Sequence, residues 1–165
     1  MNSMKITFAS IPQTVEELMA LPEATLDSPY KTTALAILAL LQYDKNAELC
    51  YSMLDALRGP DPLNPYTKSF IKDRLRGKGY KVRSFFLGAT PENNYTPTMP
   101  YTVAISETPY SYPDENWATL YVACGGADAP RPVKLRRKPS ENKWYLNDLQ
   151  CLSDIRTPVS QDPWA

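Results

Sequence analysis

The sequence predicts an α+β domain in which N-terminal helices pack on one face of a four- to five-stranded antiparallel sheet. Three observations carry this. From about residue 14 to 76, apolar side chains recur at helical spacing and the runs open on capping signals. From about residue 80 to 148 the period is two and the runs are short. The later connections are too brief for the dozen or more residues of a parallel crossover, so neighbouring strands run antiparallel.

Thr14-Val15-Glu16-Glu17 has the spacing of a capping box, with the Thr14 hydroxyl taking an orphan N–H and Glu17 reaching back. Leu18, Met19 and Leu21 supply a short apolar face before Pro22 ends it. Ser28-Pro29 pairs an N-cap with a proline whose missing N–H is harmless at a first helical position. The helix that follows, to about Tyr43, is apolar all round over residues 34–41 and is expected to be the most buried element. Asp44 is read as the cap of a third helix, with Leu49, Met53, Leu54 and Leu57 inward and Gly59-Pro60 as its stop. Asn64-Pro65 opens a fourth, running to about Arg76, with Phe70, Ile71 and Leu75 facing in and Gly77 or Gly79 at its exit.

A first strand is expected over residues 80–86, where Tyr80, Val82 and Phe86 alternate with Lys81, Arg83 and Phe85. A long connection, residues 88–100, holds three prolines. Strands are then expected at 101–107, 117–124, 132–138 and 143–147, the last two joined by a tight turn at Pro139-Ser140-Glu141-Asn142. Residues 154–165 carry too few apolar side chains for an element and are expected along the surface, with Trp164 docked.

At 165 residues, with 43% hydrophobic and 22% charged side chains, residues 1–165 form one domain with a sizeable core. No repeat or linker divides them. The longest apolar run falls well short of the about 20 residues of a membrane span, and residues 1–10 lack the apolar stretch of a secretory signal. The cytoplasm is the expected location, with Cys50, Cys124 and Cys151 as free thiols.

The chain has no histidine. That removes the usual general base, the Ser-His and Cys-His pairs and the commonest transition-metal ligand. Three separated cysteines without a C-x-x-C do not make a zinc site. Gly77-Lys78-Gly79 follows a helix instead of opening one, so it reads as a stop and not a phosphate loop. Asp114-Glu115 and the pair Asp148 and Asp154 lack a spacing that opposes two carboxyls. No catalytic residue, metal ligand or cofactor is assigned.

Formal charge is zero but segregated. Residues 68–83 and 131–143 are strongly basic, and the remainder is acidic. Lys81 and Arg83 on the strand from Tyr80, with Lys134, Arg136 and Lys138 on the strand from Pro132, are expected to share one wet sheet face. Exposed tyrosines in the loop between strands, Tyr110 and Tyr112, are the second candidate surface.

Asn64-Pro65-Tyr66, Phe70-Ile71-Lys72-Asp73-Arg74, Gly88-Ala89-Thr90-Pro91-Glu92-Asn93 and Tyr95-Thr96-Pro97 form a set with Pro109-Tyr110-Ser111-Tyr112 and Gly125-Gly126-Ala127-Asp128. Together with Lys143-Trp144-Tyr145-Leu146, Asp154-Ile155-Arg156 and Asp162-Pro163-Trp164-Ala165, they resemble an uncharacterised bacterial family, a domain of unknown function, over nearly the whole length. That resemblance implies no activity. The closing hairpin around Lys143-Trp144-Tyr145-Leu146 is similar to that of cystatin-like and NTF2-like α+β domains, which host enzymes, ligand cups and binding modules alike.

The function expected is therefore a non-enzymatic cytoplasmic interaction module that meets an acidic protein through the basic sheet face or the tyrosine loop. An NTF2-like cup, binding or converting a small ligand, is the alternative. Single-stranded nucleic-acid binding ranks last, because no RNP-like pattern accompanies the cations.

Overall fold

A computed structural model describes residues 2–165. Alternation makes the sheet. β1 (Ser3–Phe8) buries Ile6 and Phe8 between exposed neighbours. After the helices come β2 (Tyr101–Ser106), β3 (Trp117–Val122), β4 (Arg131–Lys138) and β5 (Lys143–Asp148), each burying alternate residues. The order is β1-β2-β3-β4-β5, antiparallel throughout. β1 was not anticipated, although Met4, Ile6 and Phe8 alternate with Lys5 and Thr7. It adds a strand ahead of the helices, so the first element of the chain belongs to the sheet.

The helices open on side-chain caps. The Thr14 hydroxyl accepts from the Glu17 N–H and starts α1 (Val15–Met19), while the Glu17 carboxylate reaches back to the Gln13 N–H at 2.6 Å. Ser28 caps α2 (Pro29–Leu41), and Asn64 caps α4 (Pro65–Leu75). Between them α3 (Ala47–Arg58) is capped by Asn46, not by Asp44. Asp44 falls inside a turn in which the Lys45 and Asn46 N–H groups both donate to the Gln42 carbonyl, so the first free cap position comes two residues later.

Residues 80–86 are not a strand. Tyr80–Arg83 form the short helix α5, and only Phe86 makes a bridge to the sheet, opposite Val103. The alternation there is a tertiary effect. Tyr80 stacks on Tyr95 at 5.7 Å, Lys81 donates to the Leu152 carbonyl, and Arg83 donates to the Tyr95 carbonyl at 3.1 Å. Tyr80 and Arg83, three residues apart, both meet Tyr95, which one helical turn allows and a pleat, with positions 80 and 83 on opposite faces, does not.

α2 lies across the helix-facing side of the sheet, touching all five strands, with α3 and α5 against its other sides. Every residue from Thr32 to Leu40 is buried. The tail holds on through an Arg156 N–H to Gly126 carbonyl bond and a Val159 N–H to Pro91 carbonyl bond, both 2.9 Å. Trp164 is not docked; it is 93% exposed.

Three groups on the outer edge of β5 are taken. The Trp144 N–H donates to the Leu26 carbonyl at 2.7 Å, the Thr32 hydroxyl donates to the Trp144 carbonyl at 2.6 Å, and Arg58 donates to the Asn147 carbonyl at 2.8 Å. Thr32→Val keeps the shape and leaves a buried carbonyl without its donor. It should lower unfolding free energy by about 1–3 kcal/mol in urea titrations. A smaller loss would mean that water reaches the carbonyl.

Candidate functional site

The pleat decides which side chains face water. Ala118, Leu120 and Val122 of β3 point into the core, so Trp117, Thr119 and Tyr121 point out. Across the ladder Trp117 lies opposite Arg136, and Thr119 lies opposite Lys134. On the next strand Tyr145 lies beside Arg136, and Lys143 beside Lys138. The wet face of β3–β5 therefore gathers Trp117, Lys134, Arg136, Lys138 and Tyr145.

Lys134 and Arg136 both reach the Trp117 ring. The ammonium is 5.6 Å and the guanidinium carbon 5.0 Å from its centroid. The electron-rich ring attracts both cations, which offsets their mutual repulsion and holds them together. Among the described residues neither makes an ion pair, and both are exposed.

Beyond Arg136 the surface opens into a cleft of about 330 Å³, lined by Pro60, Pro139 and Tyr145 together with Arg136, Lys138 and Arg58. Its apolar wall depends on how α3 ends. Gly59 has φ +63° and sits on the Tyr145 ring, so close that a Cβ would be 2.7 Å from a ring carbon. Glycine alone allows both the turn and the approach. Arg58, 6% exposed, then fastens the helix end to β5 and donates to the Asp61 carbonyl at 2.9 Å. The Tyr145 hydroxyl donates to Glu141 at 2.7 Å. Burial and that carboxylate push the phenol up to about 12, while the phenol's hydrogen bond and Lys138 hold Glu141 below the usual carboxylate range. Lys138 is paired with Glu141 at 3.5 Å, so among the described residues Lys134, Arg136 and, at the start of β5, Lys143 are the cations of this face without an ion pair.

Lys81 and Arg83 do not join this face. Both lie on α5, which packs against α2 on the helix side. Lys81 is buried, and burial, with Lys78 and Arg74 nearby, holds its ammonium below the usual lysine range. Both spend donors on backbone carbonyls. The tyrosine loop is separate as well. Tyr112 sits edge-on to Trp144 at 6.3 Å and its hydroxyl meets Glu107 at 3.4 Å, whereas Tyr110 is 89% exposed with a free ring. Trp144 belongs to the core face, so this loop lies away from the strand cations.

Trp117 and Tyr145 complete the site but were not among the candidate residues. One step back from Ala118, which shares the inward face with Leu120 and Val122, the pleat places Trp117 outside, and an outward tryptophan beside two outward cations was a legible signal. The cleft had none, because it needs the end of α3 beside a strand far along the chain. The side of the sheet that would form a cup is filled by α2, whose Leu35, Ile37 and Leu38 are wholly buried. The arrangement can bind a group that is anionic at one end and apolar at the other.

The family model for "Domain of unknown function (DUF6935)" matches residues 10–159, most of the chain but not β1. No curated protein and no solved structure matches the chain.

Proposed function

We propose that this chain, which belongs to the DUF6935 family of domains of unknown function, is a non-enzymatic interaction module of the bacterial cytoplasm that binds an acidic segment of a partner protein. The observation that carries the reading is Trp117 with two unpaired cations on its ring, next to an apolar cleft. Carboxylates of the partner lie on Lys134 and Arg136, and an apolar side chain enters between Pro60, Pro139 and Tyr145. Each exposed ion pair contributes only about 0–1 kcal/mol. The side chain in the cleft is the anchor, and the cations select for acidic neighbours. The cytoplasm is supported by three cysteines that are all unpaired, two of them buried. No helix is long and apolar enough to cross a membrane among the described residues.

The test is affinity capture from bacterial lysate, wild type against Lys134→Glu/Arg136→Glu, followed by titration with a synthetic acidic peptide from the captured partner. Both substituted side chains are exposed, so the variant should fold normally. Its affinity for the peptide should fall at least about tenfold, as expected for replacing two attractive contacts by repulsive ones. The wild-type affinity should weaken with added salt. Equal capture by both forms, or retention of single-stranded oligonucleotide and no protein, would overturn the reading.

A further inference from the structure

The two edges of the sheet are unlike. β5 has three of its outward groups, the Trp144 N–H and C=O and the Asn147 C=O, taken by Leu26, Thr32 and Arg58. β1 has not. The Asn2 carbonyl accepts from the Glu107 N–H, continuing the β1–β2 ladder, in which Ser3 lies opposite Ser106. Antiparallel pairs alternate between bonded and non-bonded. Met4, Ile6 and Phe8 therefore bond to β2, while Ser3, Lys5 and Thr7 turn their N–H and C=O groups outward. The opposite strand agrees. Thr102 and Ala104, the partners of Thr7 and Lys5, direct their carbonyls away from β1, to the Leu87 and Ala123 N–H groups.

Among the described residues nothing bonds to the outward groups of Ser3, Lys5 and Thr7. Two of the usual protections of an edge are absent, since β1 has no proline and its register is regular from Ser3 to Phe8; Lys5 is the one charge it carries. Met4, on the core-facing side, is left 44% exposed at this edge.

We infer that β1 pairs with β1 of a second copy, antiparallel about a two-fold axis at Ile6, joining two sheets into one. The strand's own pattern selects this occupant and register. The axis at Ile6 places Lys5 opposite Thr7 of the other copy, with their outward groups exchanging hydrogen bonds. It sets Met4 against Phe8, covering the exposed thioether, and Ile6 against Ile6. An axis at Lys5 would put two lysines face to face, which cross-strand pairing disfavours. The formal charge of zero leaves no net repulsion between copies. The surface used is distinct from the wet face of β3–β5, and β1 lies outside the residues that the family model matches.

Sedimentation across a concentration series and amide exchange test this. Wild type should sediment as a dimer, and the Lys5 and Thr7 amides, free of the β1–β2 ladder, should become protected as concentration rises. Lys5→Pro removes an outward donor from each copy without touching a bond to β2, a position where an edge strand accepts proline. It should weaken the dimer at least about tenfold. Met4→Lys puts a charge at an exposed position that the dimer buries, and it should dissociate the dimer while leaving the circular dichroism of the monomer unchanged. A wild-type monomer whose Lys5 and Thr7 amides exchange freely at every soluble concentration overturns the pairing. So does a dimer that survives both variants.

Discussion

Gly125→Ala should be one of the most damaging single-methyl changes in the molecule, costing about 3 kcal/mol, the upper end of what overpacking costs. Gly125 follows β3, and its N–H donates to the Ser84 carbonyl at 2.9 Å. A Cβ added there runs into the carbonyl oxygen of Ala89, a backbone atom with no rotamer to yield. The segment from Ser84 to Thr90 would have to withdraw from β3. That withdrawal strains the Ser84 bond, the Ser84 to Cys124 contact at 3.2 Å and the Phe86 bridge to β2 together. Gly77→Ala is the control. Gly77 has φ +68°, but nothing lies within 4 Å of the added methyl, so only the backbone preference is lost, about 1 kcal/mol. Urea midpoints of the two variants should differ accordingly. Equal midpoints would show that the 84–90 strap shifts freely and does not hold the sheet.

The features legible in the sequence were those whose causes are local. Thr14, Ser28 and Asn64 cap helices because a side-chain oxygen next to a helix start satisfies an orphan N–H wherever it occurs. β2 to β5 follow from alternation repeated over at least six residues each. Tyr80 to Phe86 was illegible for the opposite reason. Its alternation holds only from Tyr80 to Arg83 and breaks at Ser84, too few residues to tell one helical turn from a pleat, and the deciding partners, Tyr95 and Leu152, lie in distant segments. β1 was missed although its alternation is as regular as any.

The same division holds for the site. Lys134 and Arg136 could be placed on one wet face by counting alone. Adding Lys81 and Arg83 required a strand that does not form. The cleft was beyond reach, because Arg58 and Asn147, which hold the end of α3 against β5, are 89 positions apart. Charge segregation along the chain is real, yet one basic stretch spends Lys81 and Arg83 on internal carbonyls while the other presents Lys134 and Arg136 to water.

Leu35→Ala and Ile37→Ala should each remove about 2–5 kcal/mol of stability, a large share of the roughly 5–15 kcal/mol that holds a domain folded. The two side chains point about 200° apart around the α2 axis, on nearly opposite sides of the helix. A surface helix would bury one of them and leave the other in water, so that one substitution would be cheap. Here both are wholly buried, because α2 has the sheet on one side and α3 and α5 on others. Each truncation leaves a void in a close-packed interior, and neighbouring alanines at 34, 36 and 39 are too short to fill it. Leu41, half-buried at the end of the helix, gives the reference: Leu41→Ala should cost only about 1 kcal/mol. Equilibrium urea unfolding of the three variants decides between the arrangements. Large, comparable losses at Leu35 and Ile37 place α2 at the centre, and a loss confined to one of them would mean that the helix has a wet face.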